Sequence, residues 1–118
     1  MPERPRRVAA LIKQNVATII LEEFTRTEMQ WITITDCVMT RDLKRADLYF
    51  SSVEQRLAHE KAAKILEEEK GHIKRKLAAR IVLKFMPDLR FKWDDTVLID
   101  QKIQEIKNAE RKDSEDIT

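Results

Sequence analysis

The chain has 118 residues, 37% of them charged and 42% hydrophobic, with a formal net charge of +2. Its length suits one domain with one core, and its short apolar runs fall far below the ~18 residues of a membrane-spanning helix. A single cysteine, Cys37, excludes an internal disulfide and a thiolate metal site and fits a reducing compartment. A single glycine, Gly71, excludes the glycine-rich phosphate loops of Walker and Rossmann sites.

Met1 to Arg7 carries three arginines and no following apolar block with a small-residue cleavage site, so no secretory signal is read and a cytoplasmic location is expected. Val8, Leu11, Ile12, Val16, Ile19 and Ile20 recur at spacings of three and four, which predicts a helix from about Pro5 to Glu23 with one apolar stripe. After Phe24 the period changes. Trp31, Thr33 and Thr35 alternate with Ile32 and Ile34, and β-branched residues at period two predict a strand from about Gln30 to Met39. A second strand runs from Ala46 to Ser52. The polar stretch Thr40 to Arg45 between them has room only for a turn, so the two strands should form an antiparallel hairpin.

Ser51 or Ser52 is placed to cap a helix from about Val53 to Glu69, marked by Leu57, Ala58, Ala62, Ile65 and Leu66. The apolar stripe restarts at Ile73 and continues through Leu77, Ala78, Ile81, Val82 and Phe85, giving a second helix that ends before Pro87. Gly71 lies between the two, where a kink or turn is expected. Leu89, Phe91 and Trp93 alternate with Arg90 and Lys92 in a third strand. Val97 to Ile106 reads as a short helix, and the acidic stretch 108–118 reads as a disordered tail beyond a domain over 1–107.

This α-β-β-α-α-β order defines an α+β fold, because a strand that returns after a helical crossover lies parallel to the one it left. A three-stranded mixed sheet with helices on one face follows. The order is that of a type II KH-like domain, an RNA-binding fold.

Catalytic signatures are missing. His59-Glu60 opens like a zinc-protease helix, but Ala63 stands where the second ligand belongs, and no Ser/His or Cys/His constellation has a usable spacing. A non-enzymatic binding protein with no cofactor and no metal is expected. Charge says more about its partners. Residues 70–92 hold Lys70, Lys74, Arg75, Lys76, Arg80, Lys84, Arg90 and Lys92 against Asp88 alone, and a second basic cluster, Arg4, Arg6, Arg7 and Lys13, opens the chain. Such local excess is what a polyphosphate rewards through counterion release. A different class of reading remains open, a protein-binding regulatory module that uses the acidic helix 54–69 and the tail.

Several stretches resemble one family, ribosome-binding factor A. They are Arg7-Val8; Ile32-Thr33-Ile34-Thr35-Asp36 and Val38; Asp42 through Ser51; Gly71-His72-Ile73-Lys74-Arg75-Lys76-Leu77; and Met86 through Asp94. They run in family order over about Arg4 to Ile106. The resemblance implies a KH-like fold without the Gly-x-x-Gly loop, with an interhelical kink in its place; where family members carry a small residue two places before the kink glycine, this chain has Glu69. It also implies a monomeric assembly factor that binds the immature 30S subunit through 16S rRNA near the 5′ end helix and promotes late maturation and rRNA processing, especially in the cold. The RNA-contact candidates are Arg4, Arg6, Arg7, Lys70, Gly71, Lys74, Arg75, Lys76, Arg80 and Lys84. Trp31, Tyr49, Phe50, Phe91 and Trp93 read mostly as core, Cys37 and the methionines as packing, and His59 and His72 as surface residues.

Overall fold

Isoleucine and valine at helical spacing build the first element. In the computed structural model, which describes residues 3–24 and 27–95, helix α1 spans Glu3–Glu23 and buries Pro5, Val8, Ala9, Ile12, Val16, Ile19 and Ile20. Leu11, expected on that stripe, is 42% exposed at its rim. A short helix α2, Thr27–Gln30, was not expected; its Met29 is fully buried, and it delivers the chain to strand β1, Ile32–Met39.

Strand β2, Arg45–Ser52, pairs antiparallel with β1 from Ile32 opposite Ser52 to Met39 opposite Ala46. The expected hairpin is present. Its turn is closed by the Thr40 N–H donating to the Arg45 carbonyl at 3.0 Å, and Leu43 takes a left-handed φ of 62° within it. The register slips between Ile34 and Asp36, so Thr35 is the extra residue of a bulge. That slip reverses the parity of the strand: Ile32 and Ile34 point into the core before it, Cys37 and Met39 after it.

Ser52 begins a 3₁₀ turn, Val53–Gln55, in which Glu54 sits at φ 51°. A left-handed residue cannot continue a right-handed helix. Helix α3 therefore starts at His59 rather than Val53, and the Ser52 hydroxyl accepts the Leu57 N–H at 2.7 Å instead of capping at once. From His59–Arg80 the helix is continuous. The two helices and the kink expected around Gly71 are replaced by one continuous helix, for a simple reason: Leu66 and Ile73 are seven residues apart, about two turns, so the stripe resumes in phase without a break. Half-buried Glu69 and Lys70 span the gap, where long stems can lie along apolar surface. The helix ends at Arg80, earlier than expected. Ile81 turns extended and buries its side chain, whereas Val82 is fully exposed and Phe85 is 76% exposed.

Strand β3, Asp88–Trp93, lies parallel to β2, from Arg45 beside Asp88 to Phe50 beside Trp93, giving the order β1-β2-β3. The α+β fold expected from the sequence, a mixed three-stranded sheet with helices on one face, is the observed one. The core lies between Leu48, Phe50 and Leu89 of the sheet, Ile12, Val16 and Ile19 of α1, and Leu66, Ile73 and Leu77 of α3. Across the sheet, from β1 over the central strand, the Thr35 hydroxyl at the bulge donates to the buried carboxylate of Asp94, just past β3. The helix expected over 97–106 and the tail over 108–118 lie outside the described residues.

Gly71 sits in ordinary helical conformation on an exposed face, and a Cβ there would meet only the Arg75 guanidinium, at 3.5 Å. Gly71→Ala should therefore raise stability, by about 0.5–1 kcal/mol, because alanine loses less backbone entropy in a helix. Urea denaturation measures this, and a loss of stability would show that the position needs glycine.

Candidate nucleic-acid interface

The amino-terminal arginines are part of α1. Arg7 donates to Glu3 one turn earlier at 3.2 Å, an exposed pair of small energetic weight. Arg4 and Arg6 go to different places. Arg6 joins Lys13 and Arg41 around a groove of about 480 Å³ between α1 and the outer edge of β1, floored by Ala9, Cys37 and Met39. Arg4 lines a second cavity with Lys44 of the hairpin turn and Lys84 of the loop after α3.

On α3 the basic residues divide by partner. Lys70 pairs with Glu67 at 3.2 Å, Lys76 with Glu23 at 3.3 Å, and Arg80 with Glu22 at 2.7 Å and Glu23 at 3.8 Å. The acidic end of α1 thus clamps the basic end of α3. Arg90 is held by Asp88 and Lys92 by Asp47, each at 3.1 Å. Five of the eight bases in 70–92 are therefore matched to carboxylates; among the described residues Lys74, Arg75 and Lys84 have no ion pair. Arg75 shares the exposed face of α3 with Gly71. The hydrogen bond from Arg90, aided by the charges of Lys70 and Lys74, holds the Asp88 carboxyl below its usual range, so these two lysines lie within electrostatic reach of the start of β3. Lys84 belongs to the loop, not to the basic helix.

That loop meets the hairpin. The Asp88 N–H donates to the Lys44 carbonyl at 2.8 Å, which continues the parallel ladder and draws residues 83–86 against the turn. The resulting cavity, about 440 Å³, is lined by Arg4, Asp42, Leu43, Lys44, Leu83, Lys84, Phe85 and Met86. Asp42 is engaged locally: it accepts the Thr40 hydroxyl at 2.8 Å and the Lys44 N–H at 3.1 Å, which lowers its pKa. Of the ten candidates, the structure brings Arg4 and Lys84 into one cavity and places Lys70, Gly71, Lys74, Arg75, Lys76 and Arg80 along α3. Lys13, Arg41 and Lys44 complete the two cavities although they are not among the ten candidates; the sequence signal for Lys13 is the amino-terminal basic cluster, and for Arg41 and Lys44 the density of bases in Arg41-Asp42-Leu43-Lys44-Arg45.

The aromatic residues are mostly structural. Phe50 is fully buried, and Trp31, Phe91 and Trp93 pack against the core. Tyr49 alternates to the opposite face of β2 and is half-buried. His59 is exposed yet stacks on Trp93 at 4.7 Å, and His72 lies against Phe24 at 4.8 Å. No group of three or more metal-ligating side chains occurs among the described residues.

The arrangement is that of a small α+β module, a three-stranded mixed sheet covered by helices, with a basic end. Residues 4–107 match the ribosome-binding factor A family. The chain is 33% identical to ribosome-binding factor A of Desulfatibacillum aliphaticivorans over 87% of its own length and 84% of that protein's. Among solved structures it resembles the crystal structure of the Thermus thermophilus factor, with a TM-score of 0.66 and 18% identity over 75% of this chain and 93% of that one. It also resembles a homology model of the Thermus thermophilus factor fitted into a cryo-EM map of its complex with the 30S subunit, with a TM-score of 0.62 and 18% identity over 74% and 91% of the two chains. The chain belongs to the ribosome-binding factor A family.

Cys37 in the α1–β1 groove gives a chemical probe of this packing. Burial, with the charges of Asp36 and Asp47 adding to it and Lys13 opposing, pushes its thiol from 9.0 up to about 12. A raised thiol pKa means that the folded chain holds its proton more tightly than the unfolded one, so the stability it carries is intact below pH 9 and is lost as pH rises from 9 toward 12. Iodoacetamide at pH 8 should leave Cys37 unmodified until urea unfolds the chain. Rapid alkylation of the folded protein would contradict its burial.

Proposed function

We propose that this chain is a non-enzymatic, monomeric, cytoplasmic assembly factor that binds the immature 30S subunit through 16S rRNA. The observation that carries this reading is the family match over residues 4–107. The Thermus thermophilus factor's complex with the 30S subunit supports the choice of partner. The charge geometry supports the choice of rRNA within it: Lys74, Arg75 and Lys84 have no ion pair among the described residues, and Arg4 and Lys44 share a cavity with Lys84. Unneutralised cations are the ones that release counterions on contact with phosphate. As part of the same reading, the factor acts late in small-subunit maturation and rRNA processing, near the 5′ end helix of 16S rRNA, with its greatest need in the cold. Arg4, Arg6, Arg7, Lys70, Gly71, Lys74, Arg75, Lys76, Arg80 and Lys84 remain the proposed contact set, and within it Lys76 and Arg80 also hold α1 to α3.

That division dictates the test. Lys74→Gln with Arg75→Gln removes charge without breaking a helix–helix tie, so it should weaken co-sedimentation with purified free small subunits and flatten its salt dependence while leaving circular dichroism unchanged. Undiminished binding would argue against α3 as a contact surface. Residues 108–118 carry Glu110, Asp113, Glu115 and Asp116 against Arg111 and Lys112, so we place them outside the binding domain. Truncation after Lys107 should leave folding unchanged and tighten subunit binding slightly at low salt. A clear loss of affinity would instead favour a protein partner for the tail.

A further inference from the structure

Phe85 is out of place for a core residue. It is 76% exposed beside a fully exposed Val82, although Leu83 and Met86 on either side pack against the core. The Lys84 ammonium lies 5.7 Å from the centre of its ring. Lining the same cavity as the ring are three cations from three separate elements: Arg4 from the first turn of α1, Lys44 from the hairpin turn, and Lys84 from the loop. The one acid in the lining, Asp42, is held as a carboxylate by the Thr40 hydroxyl and the Lys44 N–H, so three cations face one anion and the pocket keeps a net positive rim beside its apolar residues Leu43, Leu83, Phe85 and Met86. Its volume, about 440 Å³, falls within the about 300–1,000 Å³ of small-ligand sites.

We infer that this pocket takes one unpaired nucleotide of RNA, its base stacked on Phe85 and its flanking phosphates neutralised by Arg4, Lys44 and Lys84. The inference rests on the rRNA reading above and deepens it by naming the form of RNA recognised. An exposed aromatic ring offers a flat apolar face that any base can stack on, and adjacent cations track the backbone; this pairing is the mark of single-strand binding. A duplex hides its base faces and would engage only the cations. The pocket is held in shape by the Asp88-to-Lys44 backbone bond and by buried Pro87 and Leu89, so the ring is presented from a supported loop rather than a free one. Asp88, one residue outside the lining, is neutralised by Arg90 and does not oppose an anion there.

The test uses the full chain, a fluorescein-labelled oligoadenylate, its duplex with oligouridylate, and purified free small subunits. Phe85→Ala should weaken binding to the single strand by about fivefold or more while leaving the salt slope unchanged, and Phe85→Trp should restore it. Arg4→Gln with Lys84→Gln should instead lower the slope, by about 0.7 for each phosphate no longer neutralised. All three variants should unfold in urea at the wild-type midpoint, since the altered side chains are exposed. If the wild-type chain binds small subunits but not the single strand, or binds strand and duplex equally with Phe85→Ala indifferent, the inference is overturned and the rRNA reading stands. If Phe85→Ala weakens binding to subunits but not to the oligoadenylate, the ring packs against a ribosomal protein and the inference is likewise overturned. If the wild-type chain fails to bind subunits at all, it is the rRNA reading that fails.

Discussion

The parallel ladder between β2 and β3 is the constraint on which the functional end of this molecule depends. Two parallel strands cannot be joined by a tight turn, so the chain between Ser52 and Asp88 must cross the sheet and come back, and α3 is that crossing. The return leg has to reach the start of β2, because parallel register sets Asp88 beside Arg45. The start of β2 is also the end of the hairpin turn. Residues 83–86 are thereby pressed against Lys44 and the first turn of α1, which collects cations distant in sequence into one cavity. No local propensity of any of these segments would bring them together.

The same topology disposes of much of the chain's positive charge. α3 finishes against the carboxyl-terminal end of α1, where Glu22 and Glu23 wait for Lys76 and Arg80. Pairs of this kind are partly exposed and contribute at most about 1 kcal/mol each. Their larger effect is on what remains. On the central strand, Asp47 gathers Arg45 and Lys92 in the same way: Arg45 Nη2 and Lys92 Nζ donate to Oδ2 at 3.2 and 3.1 Å, while Arg45 Nε lies 3.1 Å from Oδ1 without hydrogen-bond alignment. The open face of the sheet thus carries mixed, largely paired charge, and uncompensated bases lie on α3, at its loop and around the α1–β1 groove.

How much of this was legible in the sequence follows from the range of each interaction. The α1 stripe, the hairpin and the β3 alternation depend on periods of 3.6 and 2 within single segments, and they could be read directly. The parallel return could be read from element order. The kink at Gly71 could not be dismissed from the sequence, because one glycine and a gap in the stripe look the same whether the helix breaks there or carries half-buried Glu69 and Lys70 through two turns. The bulge at Thr35 left a trace that was missed: polar Asp36 breaks the alternation and restores it one residue out of phase. Helix boundaries at His59 and Arg80 were set by the left-handed Glu54 and by the burial of Ile81, which are tertiary outcomes. For the site, sequence counted charges correctly but could not see which were already paired.

A continuous α3 moves the weight of recognition. With a break at Gly71 the backbone amides of a helix junction could approach phosphates; in a continuous helix those amides are consumed by intrahelical bonds, and Gly71 offers only an absent side chain on an exposed face. Contact along α3 then falls to side chains alone, Lys74 and Arg75 foremost, and side-chain cations on a helix attract phosphate without reading base or shape. Discrimination between one strand and two must come from somewhere that has a ring as well as a charge. Among the described residues, the exposed apolar side chains are Leu11, Leu21, Val38, Val53, Val82 and Phe85, and of these only Phe85 is aromatic and borders a cationic cavity. The loop after α3, whose course is fixed by the parallel register, is therefore where this fold can add selectivity to an otherwise electrostatic grip.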